Sequence, residues 1–222
     1  WHPKAKSALP SIFTNVLWIN QETLLVTDNN GDIIEYAIRF DDKAKTIKDV
    51  KQNKSFGCKG ILSFCGSATS LWTISIHRNI SCFSIETSQK ILSLDTLQIR
   101  IHCLIENSID SHVIAIGGND KRLCLWNTSE ANHHTITLKP FMNKIQSGVL
   151  ALSWHPQKDN LIAFGTREGR IAILDTNRTT NVPIILESFT SHEIYSLAWA
   201  KFNENGSEVI LLLACSGGKL VH

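Results

Sequence analysis

Short apolar runs recur along the whole chain, each closed by a polar or glycine-containing turn, and no stretch keeps a helical period. Runs of four to six residues rich in Val, Ile, Leu and Trp predict strands. One such run opens each unit: Asn15-Val16-Leu17-Trp18, Gly60-Ile61-Leu62-Ser63-Phe64, Ile101-His102-Cys103-Leu104-Ile105, Leu150-Ala151-Leu152-Ser153-Trp154 and Ile194-Tyr195-Ser196-Leu197-Ala198-Trp199. Aligned on Trp18, Phe64, Ile105, Trp154 and Trp199, the units step by 46, 41, 49 and 45 residues. That alignment assigns Trp18, Trp154 and Trp199 to packing within the fold.

A second strand follows each first one, as in Thr23-Leu24-Leu25-Val26 and Leu161-Ile162-Ala163-Phe164, and runs into a tight hairpin. The hairpins read Asp28-Asn29-Asn30-Gly31-Asp32, His77-Arg78-Asn79, Gly118-Asn119-Asp120-Lys121, Arg167-Glu168-Gly169-Arg170 and Ser216-Gly217-Gly218-Lys219. Gly, Asn and Asp accept the positive φ that such turns need. Third strands begin at Ile33, Ile80, Leu123, Ile171 and Leu220, and fourth strands fit near Ile47–Val50, Ile91–Leu94, Thr135–Leu138 and Ile184–Leu186. Four antiparallel strands per 40 to 45 residues is the period of a β-propeller blade. The predicted fold is therefore all-β, built of propeller blades.

Composition narrows the function. With 22 basic and 20 acidic side chains the net charge is +2, so no overall field gathers a polyanion and any nucleic-acid site must be local. Six cysteines form no C-x-x-C pair and are read as buried thiols of a reducing compartment, with no metal site. No run of roughly 18 apolar residues offers a membrane span, and no signal peptide is visible. A start at Trp1 and a stop in mid-strand mark an expected fragment. Nucleophile-elbow, phosphate-loop and zinc-helix motifs are missing, and His133-His134 is read as a loop pair. Neither an enzyme, a cofactor nor a small-molecule substrate is expected.

The units resemble WD40-type repeats with a worn signature. The usual Gly-His survives only as Ser191-His192, and the closing Trp-Asp appears as Leu125-Trp126-Asn127 or Ile173-Leu174-Asp175. From Leu150 to Lys158, Ile162 to Arg170, Ile173 to Thr176 and Ile194 to Trp199 the chain resembles the gem-associated protein five family, the WD-repeat subunit of the SMN complex. The likeness covers nearly the whole chain from Ile12 and is most specific over 148–200.

That resemblance implies two seven-bladed propellers in tandem, with the last three blades of the first over 12–140 and the first blade and a half of the second over 146–222. The segment 139–148 would be their junction; a single propeller with one long loop is the alternative. It also implies binding of snRNA precursors through a uridine-rich Sm site and the cap, partnership with other SMN-complex subunits, and residence in cytoplasm and nuclear gem or Cajal-type bodies.

Stacking planes and cations are what single-stranded RNA needs, and Phe13, Lys59, Arg78, Arg100, Lys121, Arg122 and Tyr195 fall at or near the binding face of a propeller. By the resemblance, Tyr195 matches an aromatic of the cap pocket and Arg78 an RNA-contacting hairpin residue. Phe13 stands for a family tryptophan and Lys59 for an arginine, so bidentate base reading by that arginine is lost. Ile99 occupies a place where a second aromatic would complete a base sandwich. Each residue has a plainer reading: Tyr195 as a strand cap, Arg78 and Lys59 as solvated charges, Phe13 as core. A protein-interaction scaffold of the ordinary WD kind is the competing function.

Overall fold

The computed structural model describes residues 15–28, 30–41, 45–96, 100–130, 139–142, 147–178, 183–186, 192–204, 207–217 and 219–221. Their strands form five antiparallel sheets, each hydrogen-bonded in sequence order. The first blade holds β1 (Asn15–Trp18), β2 (Thr23–Thr27), β3 (Ile33–Asp41) and β4 (Thr46–Ser55). The second holds β5 (Ile61–Gly66), β6 (Ser70–Ser75), β7 (Asn79–Ser84) and β8 (Lys90–Asp95). The third holds β9 (Ile101–Glu106), β10 (Val113–Gly118), β11 (Leu123–Asn127) and β12 (Lys139–Met142). The fourth holds β13 (Val149–Trp154), β14 (Leu161–Thr166), β15 (Ile171–Asp175) and β16 (Ile184–Leu186), and the fifth β17 (Ile194–Glu204), β18 (Ser207–Ser216) and β19 (Lys219–Val221).

The fourth strand expected at 135–138 lies outside the described residues. Instead β12 pairs with β11 through Leu123↔Met142, Cys124↔Pro140 and Leu125↔Lys139. Pro140 is tolerated because β12 is an edge strand, where a missing N–H breaks no inner ladder.

Each apolar cluster lies between two blades rather than inside one. Leu25 and Ile33 of the first blade pack with Ile61, Phe64 and Leu71 of the second. Cys65, Ile74 and Ile80 pack with Ile101, Leu104 and Ile114 of the third. Cys103, Ala115 and Leu123 pack with Val149, Leu152 and Trp154 of the fourth, and Ala151, Ala163 and Ile171 with Ile194 and Leu197 of the fifth. Fully buried side chains such as Val149 and Ile194 stabilise the stack by about 2 kcal/mol each.

A repeated β-bulge explains the apolar spacing. Ile61 and Phe64, Ile101 and Leu104, Val149 and Leu152, and Ile194 and Leu197 are three residues apart, so a regular strand would send them to opposite faces. Both members of every pair are buried because one intervening residue is left unpaired: Leu62, His102, Leu150 and Tyr195 have no cross-strand partner. A bulge of this kind redirects its extra side chain.

Strand register also corrects the alignment of units. Leu17, Phe64, Leu104, Leu152 and Leu197 form one column, opposite Leu25, Thr73, Ile116, Phe164 and Ala214. Trp154 and Trp199 stand two positions further on, where the second and third blades carry Gly66 and Glu106. Trp18 is offset by one from the tryptophan column, which turns its side chain to the other face and leaves it 51% exposed. The packing role assigned to it from sequence therefore holds only for Trp154 and Trp199, whose indole Nε1 groups donate to Ile105 O (3.4 Å) and Ser153 O (3.1 Å) of the preceding blade.

Candidate nucleic-acid interface

One end of the blade stack is built from the β2–β3, β6–β7, β10–β11, β14–β15 and β18–β19 hairpins together with the segments leading into each first strand. Backbone hydrogen bonds tie the two sets: Gly60 N donates to Asn30 O (2.9 Å), Asn119 N to Arg100 O (2.9 Å) and Arg167 N to Gly148 O (3.0 Å). A hydroxyl or glycine closes every second strand here, and Ser216 Oγ reaches His192 O at 3.1 Å. At the opposite end of the fourth blade, where Asp175 pairs with Leu161, Asp175 accepts from Asn160 Nδ2 at 2.7 Å. That bond is the main reason its carboxyl lies below its ordinary range.

Among the described residues, each of the five hairpins carries one residue of positive φ at the turn. It is Gly31 (71°), Gly169 (85°) and Gly217 (55°) in three blades, but Arg78 (65°) and Lys121 (62°) in the other two. Gly31 has no alternative, since a Cβ there would meet Ile61 N at 2.3 Å. A side chain at such a φ costs roughly 1–2 kcal/mol, so the two hairpins that accept this cost both carry a cation at the strained position.

Arg78 lines a cavity of about 300 Å³ between the second and third blades. Arg100 faces it from the segment leading into β9, Thr96 and Asn79 add polar groups, and Leu62, Ile76 and Ile101 form an apolar wall. Among the described residues its lining contains no carboxylate. Thr96 Oγ1 donates to Arg78 O at 2.6 Å and its N–H at 2.9 Å, fixing the backbone, while among the described residues the guanidinium makes no ion pair. Two cations beside an aliphatic wall give the cavity a positively charged lining next to an apolar surface.

Lys59 sits elsewhere, in a recess of about 500 Å³ between the first and second blades with Asp28, Asn30 and Asp32. Those carboxylates offset its charge, so the site is a poor one for phosphate. Phe13 and Ile99 lie outside the described residues. Tyr195 belongs to the fifth blade, 65% exposed, with its hydroxyl donating to Glu193. That carboxylate also pairs with Arg167 of the β14–β15 hairpin at 3.3 Å. By accepting the phenol's hydrogen bond, Glu193 holds Tyr195 above the ordinary tyrosine range. The end of the stack thus gathers Lys59, Arg78 and Tyr195 on one face but in three separate places.

Sequence reasoning missed the position that Tyr195 shares with Leu62, His102 and Leu150, the bulge of the first strand. The signal was present in the pattern apolar, variable, small, apolar: Ile61-Leu62-Ser63-Phe64, Ile101-His102-Cys103-Leu104 and Ile194-Tyr195-Ser196-Leu197. Among the described residues no group of His, Cys, Asp and Glu is placed to hold a metal ion. Five of the six cysteines are buried and Cys215 is exposed; burial pushes the Cys103 thiol up to about 12.

A family model described as the RIG second beta-propeller matches residues 109–222, and one described as the RIG first beta-propeller matches residues 1–72. The chain belongs to the RIG β-propeller family. Within that setting it is 33% identical over 130 residues to human Gem-associated protein 5, covering 58% of this chain and 8% of that protein. To Gem-associated protein 5 of Drosophila melanogaster it is 27% identical over 199 residues, covering 88% of this chain and 16% of that one. The chain therefore spans less than a fifth of the length of these relatives. The expected resemblance is borne out. In fold it is similar to the β-propeller domain of Cps50 (Swd1) from Myceliophteria thermophila, with a TM-score of 0.62 at 16% identity over 93% of this chain and 64% of that one.

Proposed function

We propose that this chain forms part of an RNA-binding surface that recognises spliceosomal snRNA precursors, through their uridine-rich Sm site and cap, within the SMN complex. The observation that carries the reading is Arg78. Its hairpin position takes glycine in the first and fourth blades, yet here a strained backbone presents a guanidinium to a cavity whose described lining holds no carboxylate, opposite Arg100. Guanidinium pairs hold phosphates, and the exposed Tyr195 ring offers a base a plane to stack on. Relatives named for gems support the assignment to the SMN complex, and with it a place in cytoplasm and nuclear gem bodies. The same reading divides the chain between the end of one propeller (12–140) and the start of another (146–222), and gives it no reaction to catalyse.

The test is a salt titration of the full-length protein with a capped oligonucleotide carrying a uridine-rich site, against a scrambled control. Arg78→Gly restores the residue of the sister hairpins, so it should leave the melting temperature equal or higher. Binding should weaken about tenfold, with the slope of log K against log salt falling by about one. Weak binding that is equal for both oligonucleotides would leave the scaffold reading in its place.

A further inference from the structure

The bulge in the first strands of the second to fifth blades places four residues at one structural position, Leu62, His102, Leu150 and Tyr195, and two of the four are planar rings. We propose that this bulge is the base-facing position of the blade, and that His102 is a second stacking residue for single-stranded RNA beside Tyr195. The inference rests on the RNA reading above.

Three observations support it. The bulge turns its side chain out of the interblade core: the flanking Ile101 and Cys103 are buried, as is Ile194 in the fifth blade, while Tyr195 is exposed and His102 is only half-buried. His102 therefore presents part of its ring on the face that carries Arg78 and Arg100, and Arg100 leads directly into the strand that holds it.

Next, the ring is held at one edge. His102 Nε2 lies 2.6 Å from Asn119 Oδ1, an atom that can only accept, so Nε2 is the donor of this bond. Asn119 belongs to the β10–β11 hairpin, and Gly148 makes room for its amide, since a Cβ there would come within 2.9 Å of Oδ1. Tyr195 is anchored the same way, by a polar partner at the tip of its ring, here Glu193. A ring tethered at its edge keeps its plane at little entropic cost, which suits stacking on a splayed base.

Finally, the sister blades carry leucine at the same position. An aliphatic side chain fits the bulge without harm to the blade, so the blade itself does not require a ring.

Those leucines also provide folding-neutral variants. In the full-length protein, His102→Leu and Tyr195→Leu should each keep the wild-type melting temperature within a few degrees and bind the capped uridine-rich oligonucleotide about tenfold more weakly. His102→Phe, which keeps the plane, should bind within about threefold of wild type. In protein labelled with 13C-histidine, the His102 ring signal, assigned by its loss in His102→Leu, should shift upfield when RNA is added, as stacking under a base requires. Unchanged affinity in His102→Leu beside weakened Tyr195→Leu would overturn the role of His102 while leaving the RNA reading intact. Equal losses in His102→Leu and His102→Phe with no ring shift would overturn stacking and assign the effect to the Asn119 bond. A wild-type protein without preference for the uridine-rich oligonucleotide would remove both readings together.

Discussion

The interface between the fourth and fifth blades and that between the second and third use the same position for opposite chemistry. In the former, Trp199 donates its indole N–H to the first strand of the preceding blade, and Trp154 does the same between the third and fourth. In the latter the position belongs to Glu106, whose buried Oε2 has no hydrogen-bond partner among the described residues. Cys65 and Cys82 of the second blade surround it, burial pushes the carboxyl up to about 7, and nearby His112 pulls the other way. An indole donates at any pH, whereas a carboxyl donates only when protonated. The contrast shows how one slot in a repeat can give a constant joint in one place and a titratable joint in another.

The largest effect should come from emptying the constant joint. Trp154→Ala removes a buried ring and its hydrogen bond together, and should destabilise the protein by about 3–5 kcal/mol in chemical denaturation at every pH. At the titratable joint, Glu106→Gln keeps the shape and supplies a donor throughout. Folded and unfolded chains both hold the Glu106 proton below its ordinary 4.5, so the substitution should change little at pH 4. As pH rises from there through about 7 the unfolded chain ionises first and the wild type loses stability, so the variant should gain roughly 1–2 kcal/mol by pH 8, the group being only partly buried. A gain that is flat with pH would mean that Glu106 keeps its ordinary acidity. The smallest effect is expected from Trp154→Phe, which keeps most of the ring and loses only the N–H, at about 1 kcal/mol with no pH dependence.

Strands and hairpins were legible because their signals are local: alternation over five residues, then Gly, Asn or Asp. Tyr195 and Arg78 stood out only through resemblance. What set them apart physically needed the units aligned to the residue, and a period wandering between 41 and 49 hid that register. Trp18 shows the failure plainly: it matched Trp154 by type and spacing, yet one residue of offset puts a strand side chain on the other face. The bulge escaped for a related reason, since Ile61 and Phe64 read as an irregular run until both are known to be buried on one side. Arg78 at a glycine position became visible only when the φ angles of five hairpins could be set side by side.

Because every apolar cluster is shared by two blades, the cohesive unit of this chain is the seam and not the sheet. Pulled from its ends, such a molecule would part seam by seam, each rupture releasing a segment of some 45 residues, and the seam at Glu106 would be the one whose breaking force falls as the medium becomes more alkaline.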